Sequence, residues 1–129
     1  MYGAAALAQL PTVELNAGMY LIRAEVAADF GARSRGLMHR EALAPNAGML
    51  FVFDEPAIHC MWMKNTLIPL SVAFLDEHGV IANIADMTPH SEQAHCAARP
   101  ARYALEMNRG WFTAKGIKPG MRLGGIPGR

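Results

Sequence analysis

The stretch SVAFLDEHGVIANIA, residues 71–85, holds two apolar runs separated by Asp76-Glu77-His78-Gly79. Short runs rich in β-branched and aromatic residues read as strands, and a brief polar linker with a glycine joins two of them into a hairpin. The expected strands are 71–75 (SVAFL) and 80–85 (VIANIA).

The same grammar recurs outward in both directions. Residues 49–53 (MLFVF) are continuously apolar, as in a strand covered on both faces, with a turn at 45–48 before them and Asp54-Glu55-Pro56 after. Residues 60–63 read as a further strand. Residues 12–15 and 20–26 form a second hairpin around Asn16-Ala17-Gly18, the latter alternating polar and apolar. Residues 28–37 are the best helix, with Asp29 as its cap, Phe30 and Leu37 on one face, and an end or bend near Gly36. Toward the C-terminus, 103–107 (YALEM) reads as a strand, 111–115 as one helical turn closed by Gly116, and 121–123 as a closing strand. Residues 88–100 hold two prolines and little periodicity, a long loop of the kind that is functional or mobile.

About eight short strands with one or two short helices place the chain in the mainly β class, as a jelly-roll-like β-sandwich or a flattened barrel. A βαβ architecture is disfavoured, because no long helix separates the strands. The 129 residues give one domain, 12–124, with 1–11 as a tail or signal remnant and 125–129 as a loop tail.

Composition narrows the class of function. With 52% hydrophobic and 18% charged residues the chain is not of disordered type. A formal charge of +1 points to neither nucleic acid nor an anionic membrane as partner. No apolar run reaches the roughly 18 residues of a membrane span. At the N-terminus, Ala6-Leu7-Ala8 followed by Gln9 resembles the end of an export signal, so a periplasmic or extracellular location is expected, with a simple tail of small residues and a cytoplasmic location as the alternative. Cys60 and Cys96 permit one disulfide, but no spacing rule links them, and two buried free thiols are the preferred reading. No zinc-type spacing of cysteine and histidine occurs. The nine methionines read first as adaptable core filler.

Four motifs stand in fixed order: Arg35-Gly36-Leu37-Met38 with Arg40; Gly48-Met49-Leu50-Phe51 with Phe53; Trp62-Met63-Lys64-Asn65-Thr66 with Ile68-Pro69-Leu70; and Leu105-Glu106 with Gly110. Together they resemble the domain of unknown function 192 (DUF192) family over residues 13–123. The resemblance implies a compact, mostly β fold akin to a jelly roll, in small bacterial and archaeal proteins that often carry an export signal. It implies no activity, substrate or cofactor, only that the motif positions are where a site would lie. One departure is visible: the family usually has an aspartate after the Pro-Leu, where this chain has Ser71. An acid or metal ligand at that position would be lost.

Lys64 is the sharpest candidate. Read as a strand, 61–66 puts Trp62, Lys64 and Thr66 on one face and Met61, Met63 and Asn65 on the other. A lysine among large apolar side chains snorkels, pairs with an acid, or is desolvated into a base or nucleophile. Glu106, the acid inside YALEM, is the expected structural partner, because a paired buried charge is tolerated where an unpaired one is costly. Arg35 and Arg40 offer forks for an anion, or cap a helix end. Trp62 is a stacking platform or a core anchor, and Asn65 serves a turn or a ligand. His59, Cys60, Met61 and Met63, with Met38 and His39, are soft donors of the kind Cu(I) takes. His78, His90 and His95 fall in turns or the loop. None of the nucleotide, hydrolase or metalloprotease motifs is present.

The expected site is therefore Arg35, Met38, Arg40, Trp62, Lys64, Asn65 and Glu106, with no metal or cofactor assigned. The expected role is an exported domain that binds a small or polymeric ligand and no nucleic acid. The alternatives are an enzyme using Lys64 and Glu106 as base and acid, and a Cu(I)-binding module.

Overall fold

In a computed structural model, which describes residues 9–127, both expected hairpins form. The suspected signal boundary at Ala6-Leu7-Ala8 lies outside the described residues. Strands β1 (Thr12–Ala17) and β2 (Tyr20–Ala27) pair antiparallel around Gly18, whose φ of +59° suits a residue without a side chain. Strands β5 (Leu70–Leu75) and β6 (Ile81–Met87) pair antiparallel across the Asp76–Gly79 turn, where Asp76 accepts the backbone N–H groups of His78 and Val80.

Between the hairpins lie α1 (Phe30–Arg35), β3 (Ala47–Ala57) and the two-residue β4 (Cys60–Met61); after β6 come β7 (His95–Cys96), β8 (Ala101–Asn108) and α2 (Trp111–Ala114). Six strands make one sheet in the order β1-β2-β3-β8-β5-β6, while β4 and β7 form a separate ribbon. Among the described residues the fold is mainly β with eight strands and two short helices, and the sheet is not a closed barrel.

Three local features differ from the expected pattern. First, β2 and β3 are parallel, which requires a crossover, and α1 with the loop behind it supplies one. A short helix is enough, so one βαβ unit exists inside a mainly β chain. Second, the expected strand 121–123 forms no ladder. Its neighbourhood makes only isolated bridges, Asn16 with Gly124 and Val80 with Arg122, which tie the tail to β1 and to the start of the β6 edge. Third, the 60–63 strand ends at Met61, and Lys64 and Asn65 lie in a turn. The alternation of faces expected over 61–66 therefore does not apply.

Helix α1 starts as expected, with Asp29 accepting the Ala32 N–H at 2.8 Å. It stops sooner, because Gly36 takes φ +50° and its N–H donates to the Ala32 carbonyl. Phe30 and Leu37 consequently do not share a face: Phe30 is 79% exposed, and Leu37 drops into the core.

Both faces of the sheet are covered. On one, Leu15, Ile22, Leu50 and Leu105 pack under Trp111 and Phe112 of α2 and under Ile117 and Leu123. On the other, Met49, Phe51, Val72 and Phe74 pack under Leu37, Met63, Ile68 and Ala97, contributed by the loop after α1, the segment after β4 and the segment after β7. Met49, Met63, Met87 and Met107 are fully buried, as the core-filler reading expects.

Cys60 and Cys96 stand directly opposite each other in the ribbon, with Cα atoms 3.9 Å apart, and form a disulfide. This corrects the preference for free thiols. The pairing was hidden because β7 lies within the segment read as a loop.

Candidate functional site

The second face of the sheet does not close completely. A cavity of about 390 Å³ opens between α1 with its following loop, the end of β3, the ribbon and β8. Such a volume is within the range of small-molecule sites, about 300–1,000 Å³.

Glu106 lies at its floor. The side-chain period of two places Glu106 on the same face as Ala104, with Met49 opposite it on β3 and Val72 opposite it on β5. Both neighbours are apolar. Glu106 is 3% exposed, lines the cavity, and its side chain has no hydrogen-bond or ion-pair partner among the described residues. Burial pushes its carboxyl up from an ordinary 4.5 to about 8, because the charged form loses much of its hydration there.

The motif after β4 builds one wall. The Met63 N–H donates to the Ser91 carbonyl at 2.9 Å, the His39 N–H to the Asn65 carbonyl at 2.9 Å, and the His90 N–H to the Thr66 carbonyl at 3.1 Å. Asn65 takes φ +53°, a left-handed conformation that asparagine tolerates. This stitched turn buries Thr66 against the cavity, with its hydroxyl donating to the Lys64 carbonyl at 3.0 Å. The hydroxyl lone pairs remain as acceptors.

The glycines of the other motifs have equally local reasons. A Cβ on Gly48 would lie 2.5 Å from the Glu106 carbonyl oxygen and 2.3 Å from the Met107 sulfur, so close approach of β3 to β8 requires glycine. Gly36 turns the chain so that Leu37 enters the core and Met38 reaches the cavity.

Of the residues expected at the site, Arg35, Met38, Trp62 and Glu106 line this cavity. Arg35 is exposed and carries no side-chain partner among the described residues. Arg40 is engaged elsewhere: Nη1 and Nη2 donate to Glu25 Oε2 and Oε1 at 2.6 and 2.7 Å. That pair sits in a neighbouring open groove, which Arg35 and Met38 also border. Lys64 and Asn65 do not line the cavity. Lys64 is exposed, with Nζ 5.3 Å from the centroid of the Trp62 ring. The expected Lys64–Glu106 ion pair is not formed, and the two groups do not converge as base and acid. The strand reading failed because the turn at 64–65 carries the lysine outward.

The residues that reasoning from sequence missed are Thr66, Phe51 and Phe53 in the walls and Arg33 at the edge. Arg33 donates to the Val52 carbonyl at 3.1 Å and pairs with Asp54 at 3.4 Å, pinning α1 to the end of β3. Thr66 was within the quoted motif and could have been found there.

The soft donors are largely committed to other contacts. The sulfur of Cys60 is in the disulfide. The His59 ring stacks on Phe53 at 3.8 Å, with Nε2 2.9 Å from the Glu55 carbonyl oxygen. Met63 is in the core, which leaves the thioethers of Met38 and Met61 at the cavity. The described residues contain no group of three or more His, Cys, Asp or Glu side chains arranged to hold a metal ion.

Ser71 lies on the opposite face of the sheet. Its hydroxyl donates to Asp86 Oδ1 at 2.6 Å and accepts the Gly110 N–H at 3.0 Å, at the start of α2. The departure from the family pattern is therefore remote from the cavity. Among the described residues no helix is long and apolar enough to cross a membrane.

The model of the DUF192 family, described as "Uncharacterized ACR", matches residues 12–125, so the chain belongs to that family. Two solved structures are similar over almost its whole length. One is from Sinorhizobium meliloti 1021, described as a "putative transcription regulator": 36% identity, TM-score 0.87, covering 93% of this chain and 98% of that one. The other is a protein of unknown function from Novosphingobium aromaticivorans DSM 12444: 34% identity, TM-score 0.82, covering 93% of each chain. No curated protein matches the chain.

Proposed function

We propose that this DUF192 protein binds a small molecule in the cavity floored by Glu106, and that it does so outside the cytoplasm. The observation that carries the reading is the unpartnered carboxyl of Glu106, buried yet open to the cavity. Among the described residues no fully buried side-chain N or O atom lacks a hydrogen bond, so the Glu106 oxygens are reached from the cavity rather than sealed in, and a ligand there meets a carboxyl that the protein leaves unpaired. Such groups with displaced pKa values concentrate at functional sites. The cavity also places aromatic and thioether side chains around a few polar atoms, the usual composition of a ligand site.

The extracytoplasmic part of the reading is supported by the Cys60–Cys96 disulfide, both of whose cysteines are exposed, since such bonds persist in oxidising compartments. The signal-like Ala6-Leu7-Ala8 points the same way. The description of the Sinorhizobium protein draws little support from this chain, whose charge of +1 lacks the basic footprint of a DNA-binding domain.

A fragment library screened by amide chemical-shift mapping tests the binding reading. Hits should cluster on Met38, Trp62, Thr66 and Glu106 and weaken in Glu106→Gln. Hits confined to other surfaces would refute it. Fractionation of cells expressing the intact gene tests the location, with the protein expected in the extracytoplasmic fraction.

A further inference from the structure

We propose that the cavity takes small organic amines, with a protonated nitrogen of the ligand seated against Glu106. This deepens the reading that the cavity is a ligand site and rests on it.

The buried side chains of the lining are Leu37, Phe51, Phe53, Thr66 and Glu106. Only two of these have polar side-chain atoms directed to bonding. Thr66 has spent its proton on the Lys64 carbonyl, so it offers lone pairs. The ionised form of Glu106 offers only acceptors. Met38 and Met61 add thioether sulfurs, which are weak acceptors. Phe30 and Trp62 at the mouth and Phe51 and Phe53 within add aromatic surface, of which one Phe53 face is taken by the His59 ring; aromatic rings attract cations. The interior is thus electron-rich, and what complements it is a ligand rich in N–H donors and positive charge. The protein makes one such contact itself at the lip, where the Lys64 ammonium lies over the Trp62 ring.

The cations near the cavity do not satisfy Glu106. Arg33 is held by Asp54 and the Val52 carbonyl, Arg35 is exposed at the rim, and Lys64 is outside. The remaining titratable groups of the lining are Glu55, which is exposed, and His59, which stacks on Phe53. A ligand ammonium supplies the missing partner: it ionises the carboxyl and pairs with it. Binding then expels the proton that Glu106 carries when the cavity is free of ligand, because burial holds its carboxyl near 8.

Benzylamine, benzyl alcohol and benzoate share one ring and differ in the head group, so they separate the chemistry from the cavity. With the full chain near neutral pH, benzylamine should bind at least about tenfold more tightly than benzyl alcohol, since the ion pair replaces a neutral hydrogen bond. Its shifts should map to Trp62, Thr66 and Glu106. Calorimetry in buffers of different ionisation enthalpy should show a proton released. Glu106→Gln should remove the preference; because the proton-release measurement uses the unaltered protein, the test stands even if that variant folds poorly. Preference for benzyl alcohol or benzoate at the same residues would overturn the amine class and leave the ligand site standing. Failure of all three probes to perturb the cavity residues at millimolar concentration, with fragment hits elsewhere, would overturn both.

Discussion

Met49 stands directly opposite Glu106 in the β3–β8 ladder, so this buried carboxyl is flanked by a thioether side chain rather than a cation. Val72 faces it from β5. The consequence is a carboxyl that folding largely desolvates without giving it a partner among the described residues.

Stability should therefore fall as pH rises. The folded-state pKa of Glu106 is raised to about 8 from 4.5, so between those values the folded protein binds a proton that the unfolded chain has lost. The stabilisation is fully present below about 4.5 and is lost as pH passes through about 8, a change on the order of 5 kcal/mol at most. Urea midpoints of wild type and Glu106→Gln across this window measure it, and the Gln variant should lack the Glu106 contribution to the slope. Equal slopes would count against a desolvated Glu106.

Reducing the disulfide should destabilise the fold. It closes a sequence separation of 36 residues, for which chain entropy gives roughly 4 kcal/mol. The ribbon it staples has only two paired positions, Cys60 with Cys96 and Met61 with His95. Urea unfolding of the Cys60→Ser, Cys96→Ser double variant reads the loss directly; unchanged stability would show that the ribbon is held by its backbone contacts.

Arg40→Lys separates structure from binding. Lysine cannot reproduce the two-pronged contact with Glu25, and about 1 kcal/mol of stability should go. Fragment binding at the Glu106 cavity should be unchanged, because Arg40 faces the neighbouring groove. Loss of binding at retained stability would join the groove to the site.

Gly48→Ala should be among the more damaging single-methyl changes. The added carbon meets the Glu106 carbonyl and the Met107 sulfur well inside contact distance, and the two central strands must part. A cost of about 1–3 kcal/mol is expected by urea denaturation, with cavity resonances shifted as β8 moves. A neutral effect would mean that Met107 alone gives way.

The strand pattern was legible where neighbouring residues decide it. The 71–85 hairpin and the Asp29 cap follow from local turn and capping chemistry, and both form. The misreadings arose where distant contacts decide. Residues 62–66 look like a strand in isolation, but bonds from His39, Ser91 and His90 fold them into a turn. The β7 segment is too short to show a period and exists through its pairing with β4. At the cavity, Glu106 was conspicuous as an acid in an apolar strand, whereas its lack of a partner could not be seen. Sequence supplied the plausible lysine, and the turn at 64–65 carries it over Trp62 instead.

The most direct test of the central claim is the titration of the Glu106 side-chain carboxyl by carbon NMR in the ligand-free protein, assigned by Glu106→Gln. A midpoint near 8, moving downward when benzylamine is added, is the expected result. A midpoint near 4.5 would mean that water or a cation already serves the carboxyl, and would contradict the account.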